Sequence, residues 1–203
     1  MEKTVFLFRR KASRTRAGFR RHYIETHAPL GARLTRCLLG YTVNIVETEG
    51  GPDAVTEHWL PAAMDLLTPE TAYASREDFE AVVADDRSLF DSFELYVVDR
   101  EVEVVPGDPS NTRPGQASPG VKLIWFYADA SQAPPPPPWA RRVVDNHVRE
   151  KLVFAEEGGR KAIAPEFSLI RMAWAQDPAT VGSGADAALV VTEYRQIPAP
   201  AWR

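Results

Sequence analysis

An ordered series of matches between the two halves of this chain constrains its fold more than any single motif. Val5-Phe6-Leu7-Phe8 is followed by a helix-like stretch in which Phe19 precedes His27 by eight residues. Ile124-Trp125-Phe126-Tyr127 is followed by a second stretch in which Trp139 precedes His147 by the same eight. Val55-Thr56-Glu57 then opens one strand-like segment and Val191-Thr192-Glu193 opens another. Few residues are identical, so the order of the elements is what repeats. An ordered repeat of this kind points to a duplicated unit and hence to an internal pseudo-dimer.

The segment 106–120 holds Pro106, Pro109, Pro114 and Pro119 with three glycines, too many breakers for helix or strand, and reads as the linker between the repeats. The first repeat, 1–105, predicts a strand over Thr4–Arg9, a helix over Thr15–Leu38 closed by Gly40 as C-cap, and strands over Tyr41–Val46 and Val55–Leu60. A helix over Arg76–Ala84 capped by Ser75 and a strand over Phe93–Val105 complete it. The order β-α-β-β-α-β is that of the split ferredoxin-like motif. The second repeat, 121–203, predicts a strand Lys122–Tyr127, a helix Trp139–Phe154, and strands Phe167–Ala175 and Ala187–Arg195. On this reading it is a truncated copy, without a second helix or a fourth strand. The five prolines 134–138 stiffen the approach to Trp139 as polyproline II. Gly158-Gly159 reads as a helix-to-strand turn and Gly182-Ser183-Gly184 as a hairpin loop.

Strand one carries Phe6 and Phe8 on one face and Val5 and Leu7 on the other, and Lys122–Tyr127 is likewise apolar on both faces. An antiparallel sheet with one face in water would alternate apolar and polar, so both faces of these strands must be covered. Helices cover one side of a ferredoxin-like sheet, and the sheet of the other repeat is left to cover the second. The expected fold class is therefore α+β: two ferredoxin-like repeats in one chain that form an intramolecular dimeric α+β barrel. A truncated second repeat would leave a sheet edge to be covered by the tail 196–203 or by a second molecule.

The net charge of −4 excludes a broad basic footprint, and the run Arg9, Arg10, Lys11, Arg14, Arg16, Arg20, Arg21 reads as a solvated loop and helix start. No apolar run reaches the roughly 18–20 residues that span a bilayer, and the N-terminus has no signal-peptide pattern, so a cytoplasmic protein is expected. The single cysteine, Cys37, falls on the apolar face of the first helix and reads as a buried structural thiol. Nothing in the four histidines has metal-ligand spacing, so no metal and no cofactor is expected. The expected partner is a small-molecule ligand, with no nucleic acid and no membrane; a homodimer is a further expectation.

Phe19-x3-Tyr23-x3-His27-x-Pro29-Leu30, Gly40-Tyr41, Thr56-Glu57-x-Trp59 and Asp86-x3-Phe90 occur in the order in which the EthD-like family carries such pieces. In most of residues 1–105 the chain resembles that family of dimeric α+β barrel proteins. The second repeat departs from the pattern, because His147 is followed by Val148-Arg149-Glu150. The resemblance implies a role in degradation or biosynthesis of aromatic or polyketide-like metabolites. Relatives with the same barrel include cofactor-free monooxygenases, isomerases, dehydratases and cyclases, so the reaction stays open.

On the first helix Phe19, Tyr23, Thr26, Leu30, Leu34 and Cys37 form one stripe, and His27 lies about 50° from its centre. There it could present one ring nitrogen to a cleft as an acid/base, or it could cap a carbonyl and shape the turn before Pro29. His22 lies about 140° around the helix from His27, too far for the two to share a metal. Strand three places Glu57 and Trp59 on one face and His58 on the other, so Glu57 and His58 are rival catalytic candidates. In an apolar cleft Glu57 would have a raised pKa; alternatively Glu57 and Glu193 pair with arginines such as Arg9 or Arg171. Tyr23 and Tyr41 are candidates for orienting substrate, with Trp59, His147 and Tyr194 as further lining residues. Glu150, three residues from His147, could activate it or simply pair with a cation.

Overall fold

A computed structural model describes residues 1–107, 112–154, 160–176 and 188–200. The described residues form nine strands, and apart from a 3-10 turn at Ala130–Gln132 their helices lie in the first half: β1 Glu2–Arg10, α1 Arg16–His22, a π turn Tyr23–His27, α2 Ala28–Leu34, β2 Gly40–Val46, β3 Ala54–Leu60, α3 Ala63–Leu66, α4 Pro69–Ala72, α5 Arg76–Leu89 and β4 Phe90–Val105. The second half contributes β5 Val121–Tyr127, β6 Arg142–Phe154, β7 Arg160–Ile163, β8 Leu169–Ala175 and β9 Leu189–Ile197. The strand order is β4-β1-β3-β2-β9-β5-β8-β6-β7, and β4 also pairs with β6. Eight antiparallel strands thus close into a barrel, with β7 added alongside the far end of β6. The order β4-β1-β3-β2 in the first half and β9-β5-β8-β6 in the second is the same permutation of first, second, third and fourth strands.

Two cores follow from the period-2 alternation. Val5, Leu7, Val55, Ile124, Ile170 and Met172 point into the barrel. Phe6, Phe8, Phe19, Tyr23, Tyr41 and Leu95 meet between the sheet and the helices. Both faces of β1 and β5 are covered, as their double apolar faces require.

Pro29 explains the π turn. It cannot donate to the Glu25 carbonyl, and its ring crowds that carbonyl, so the helix widens and the Ala28 N–H bonds instead to the Tyr23 carbonyl, five residues back. Ser75 caps α5, its hydroxyl accepting from the Asp78 N–H at 3.1 Å. The first helix is shorter than its pattern suggests: it ends at Leu34, and Thr35 bridges to Tyr73. Gly40 opens β2 and is not a cap; a Cβ there would meet Trp59 and Pro200 at 2.9 Å.

The largest correction lies at Trp139–Phe154, expected as a helix and found as strand β6 from Arg142 onward. The prolines before it run without regular structure to Trp139, which packs on Trp125 at 6.3 Å between ring centroids. With β6 a strand, the second half has four barrel strands, and the barrel closes through β4 and β6. The predicted open edge is therefore absent from the barrel itself, while β7, paired with β6 alone, keeps an outer edge among the described residues. Part of the Pro/Gly-rich 106–120 segment also joins the barrel, Ala117 bridging Tyr194. Gly158-Gly159 and Gly182-Ser183-Gly184 lie outside the described residues. Among the described residues no helix is long and apolar enough to cross a membrane.

Candidate functional site

Between α1–α2, α5 and the outer face of β1–β3 lies a cavity of about 420 Å³, walled by Phe6, Phe8, Tyr73, Phe90 and Phe93. Its size and largely apolar wall, with eight Phe and Tyr rings, suit a small flat ligand. Phe8 stacks on Phe90 at 4.0 Å and on Phe6 at 5.2 Å, so one side of the cavity is a continuous aromatic surface.

Four of the eight candidate residues meet here: Tyr23, His27, Tyr41 and His58. The His27 Nδ1 lies 2.8 Å from Asp85 Oδ2, and His22 Nε2 lies 2.7 Å from Asp85 Oδ1. With the carboxylate accepting from Nδ1–H, the Nε2 of neutral His27 carries the lone pair. That nitrogen is 3.5 Å from Asp86 Oδ1, and both His27 and Asp86 line the cavity. Burial works to raise the Asp85 carboxyl, but hydrogen bonds from His27 and His22 outweigh it and hold it below its ordinary value. Burial pushes the Asp86 carboxyl above its ordinary value despite the nearby His27. The π turn makes the shared carboxylate reachable: with roughly one extra residue per turn, the five residues from His22 to His27 bring the two rings toward one side.

His58 is paired directly across the ladder from Tyr41, and their rings stack at 4.8 Å. Its Nδ1 is buried with no hydrogen-bond partner in the protein. Burial, with a smaller push from His27, lowers its pKa to about 3, so this imidazole is neutral at ordinary pH. The Tyr23 hydroxyl bonds to Thr56 Oγ1 at 2.6 Å and interacts with the Tyr41 hydroxyl; burial pushes both phenols well above their usual value. Both therefore remain protonated, able to donate a hydrogen bond to an oxyanion.

The other four candidates are elsewhere. Glu57 and Trp59 face the barrel interior, so the two faces of β3 serve two separate cavities. Glu57 is not a carboxylate of raised pKa. Burial would raise it, but the Lys122 and Lys3 ammoniums, at 2.5 and 2.7 Å, hold it far below its ordinary value. Its partners are these lysines and not Arg9 or Arg171; Arg171 instead clamps Asp145 through two 2.7 Å bonds. Tyr194 receives hydrogen bonds from Arg20, the shorter 2.6 Å, and packs against the helix-side core without lining the cavity. His147 lies on β6 beside Arg100 at 3.1 Å, and Glu150 pairs with Arg149.

The residues missed from sequence are Asp85, His22 and Phe90 as a wall. Asp85-Asp86 on α5 carries no local sign that it meets a histidine 58 positions earlier. Cys37 is buried, and burial pushes its thiol up to about 11, as a structural thiol requires. Among the described residues no cluster of three or more His, Cys, Asp or Glu could hold a metal ion.

The fold and site define an antiparallel α+β barrel with a ligand-sized aromatic pocket outside its sheet. No protein-family model and no curated protein matches the sequence. Among solved structures the chain is similar to an anthrone oxidase-like protein, with a TM-score of 0.55 and 12% identity over 100% of this chain and 96% of that one. A putative chlorite dismutase aligns with a TM-score of 0.43 and 8% identity over 97% and 95%. The first likeness supports the fold alone, an antiparallel α+β barrel.

Proposed function

We propose that this protein binds a flat, weakly acidic aromatic or polyketide-like metabolite in the helix-side pocket and removes a proton from it. The observation that carries this reading is the pairing of His27 with Asp85 at the wall of an aromatic cavity. Asp85 fixes the tautomer that presents Nε2 as the base and stabilises the imidazolium that forms. With Tyr23 donating to the Tyr41 oxygen, Tyr41 has its own hydrogen left to donate toward the oxygen on which negative charge develops. His22, the more exposed of the two imidazoles, donates to the other Asp85 oxygen and helps keep that carboxylate charged beside the His27 imidazolium. Such enolisation is the shared first step of isomerase, dehydratase and cyclase chemistry. It is also the first step of a cofactor-free oxygenase, in which the carbanion then reduces O2.

Anthrone, the compound in the name of the similar structure, is a suitable probe: a flat tricyclic ketone with an acidic C–H. Deprotonation moves that hydrogen to His27 Nε2 and the electron pair onto the ketone oxygen. With O2 as oxidant, anthrone and O2 balance to anthraquinone and water. Enolate formation and quinone appearance are followed separately by absorbance, with and without O2. Enolate without O2 consumption marks a proton-transfer enzyme, and quinone marks an oxygenase. Saturable binding with no proton exchange at the acidic carbon overturns the enzymatic reading in favour of a carrier.

The same proposal takes the chain as a tandem of two EthD-like, ferredoxin-like units, 1–105 and 121–203, acting in the cytoplasm. It is supported by the identical strand permutation in the two halves and by matched pairs at matched ladder positions, Lys3 opposite Trp59 and Lys122 opposite Trp174.

A further inference from the structure

The barrel interior holds a second cavity, of about 480 Å³, that the proposed chemistry does not use. Its inner wall carries two ammoniums, Lys3 and Lys122, among three carboxylates, Glu57, Glu101 and Glu193. Arg195 bonds Glu193 at 3.0 Å and brings this wall to neutrality. At the mouth Arg142 pairs with Glu103 at 2.6 Å, again neutral. The lining is thus intensely polar with no net sign.

The two halves furnish this wall with matching parts. Lys3 sits over the Trp59 ring at 4.4 Å and Lys122 over Trp174 at 4.6 Å. Glu101 stands opposite Asn146 on one seam and Glu193 opposite Asn44 on the other. The match is partial: Met172 stands where Glu57 stands, and the two indoles differ. Trp174 Nε1 donates to Glu193 Oε2 at 3.1 Å, whereas Trp59 Nε1 is buried with no acceptor. Glu101, its counterpart acceptor, gives Oε2 to Lys3 at 2.6 Å. Trp59 is only 4% exposed, yet it lines this cavity. A desolvated donor without an acceptor carries a net cost that an entering acceptor would recover.

We propose that the barrel interior is a second binding site, for a small zwitterion of the α-amino-acid class, whose carboxylate accepts from the Trp59 indole N–H and whose ammonium meets Glu101 and Glu103. A ligand with net charge gains nothing from a lining whose charges cancel, whereas one carrying both signs is matched at both ends. A sugar is disfavoured, because ammoniums already occupy a face of each indole on which it would stack.

The test uses the full chain with L-alanine as probe, and propionate and ethylamine as its separated halves. L-alanine should raise Tm by roughly 2–6 °C at saturation and shift one indole 1H–15N resonance, absent from the spectrum of Trp59→Phe. Neither half alone should do so, and anthrone should not compete. Trp59→Phe removes the unmet donor and keeps the ring, so it should fold and lose the L-alanine response. No response in the wild-type protein overturns the proposal. So does an equal response to propionate, which would make the site an anion site, or a response that survives in Trp59→Phe. Because the resonance is read in wild-type protein, the proposal remains testable even if the variant fails to fold.

Discussion

Glu57 and His58 are neighbours on one strand, both buried, at 2% and 9% exposure, yet they take opposite electrical states. Glu57 enters the barrel, meets two ammoniums and stays charged. His58 enters the aromatic pocket, finds no partner for Nδ1 and stays neutral. Burial disfavours the charged form in both cases, and the partners within reach decide the outcome. The helix-side pocket therefore sets a few titratable groups in apolar surroundings. The barrel interior is an ionic network whose members hold one another charged.

The comparison is most strongly tested by Glu57→Gln. It leaves Lys3 and Lys122 buried with less compensation, and a loss of about 3–5 kcal/mol is expected in urea unfolding; an unchanged midpoint would mean that the network is not structural. His27→Ala, on the other face, should leave the unfolding midpoint near wild type but slow proton exchange from anthrone about 10²-fold or more. Undiminished exchange would remove His27 from the proposed mechanism.

His58→Phe separates the two regions by pH. The native imidazole stays neutral down to about pH 3, while in the unfolded chain it takes up a proton below about 6.5. Its contribution to stability is thus whole above 6.5 and lost progressively as pH falls toward 3. Glu57, depressed in the fold, contributes above the ordinary carboxylate range and loses that contribution only below it. Between about pH 7 and pH 5 Glu57 is silent and the lowered His147 is common to both proteins, so the difference between wild type and His58→Phe reports His58. The wild-type protein should weaken over that interval more than His58→Phe, and parallel curves would contradict a neutral buried His58. The smallest effect is expected for His22→Ala, a modest drop in proton exchange, because Asp85 loses one of its two histidine donors. Exchange equal to wild type would remove His22 from the support of Asp85.

Much of the first half was legible locally. Phe6/Phe8 against Val5/Leu7 announced a strand covered on both sides, and the Phe19-Tyr23-His27 spacing placed three side chains that do meet in one core region. The second half misled at Arg142–Phe154 because polar residues interrupt both faces of β6. Asn146, facing inward, accepts from Lys3 and donates to the Ile170 carbonyl; Asp145, facing outward, holds Arg171. Each polar group is satisfied by a partner far along the chain, so the period-2 pattern is broken where the strand is sound. Trp139, Val143, Asn146, Glu150 and Phe154 meanwhile fall at helix-like spacing without forming a helix.

The sequence by itself determined the strand-helix order of residues 1–105, the need for a second covering layer, and the presence of His27 and Tyr23 on one helical segment, because each depends on short-range periodicity and hydrophobic burial. Only the tertiary structure decided that Asp85 reaches His27, that Lys122 reaches Glu57, and that β6 closes the barrel against β4. Those are contacts between residues 58, 65 and about 50 positions apart, the last an estimate from the paired strands. Charge state and site assignment follow from such contacts, since an ionisable group answers to whatever lies within a few ångströms in space and not to its neighbours in sequence.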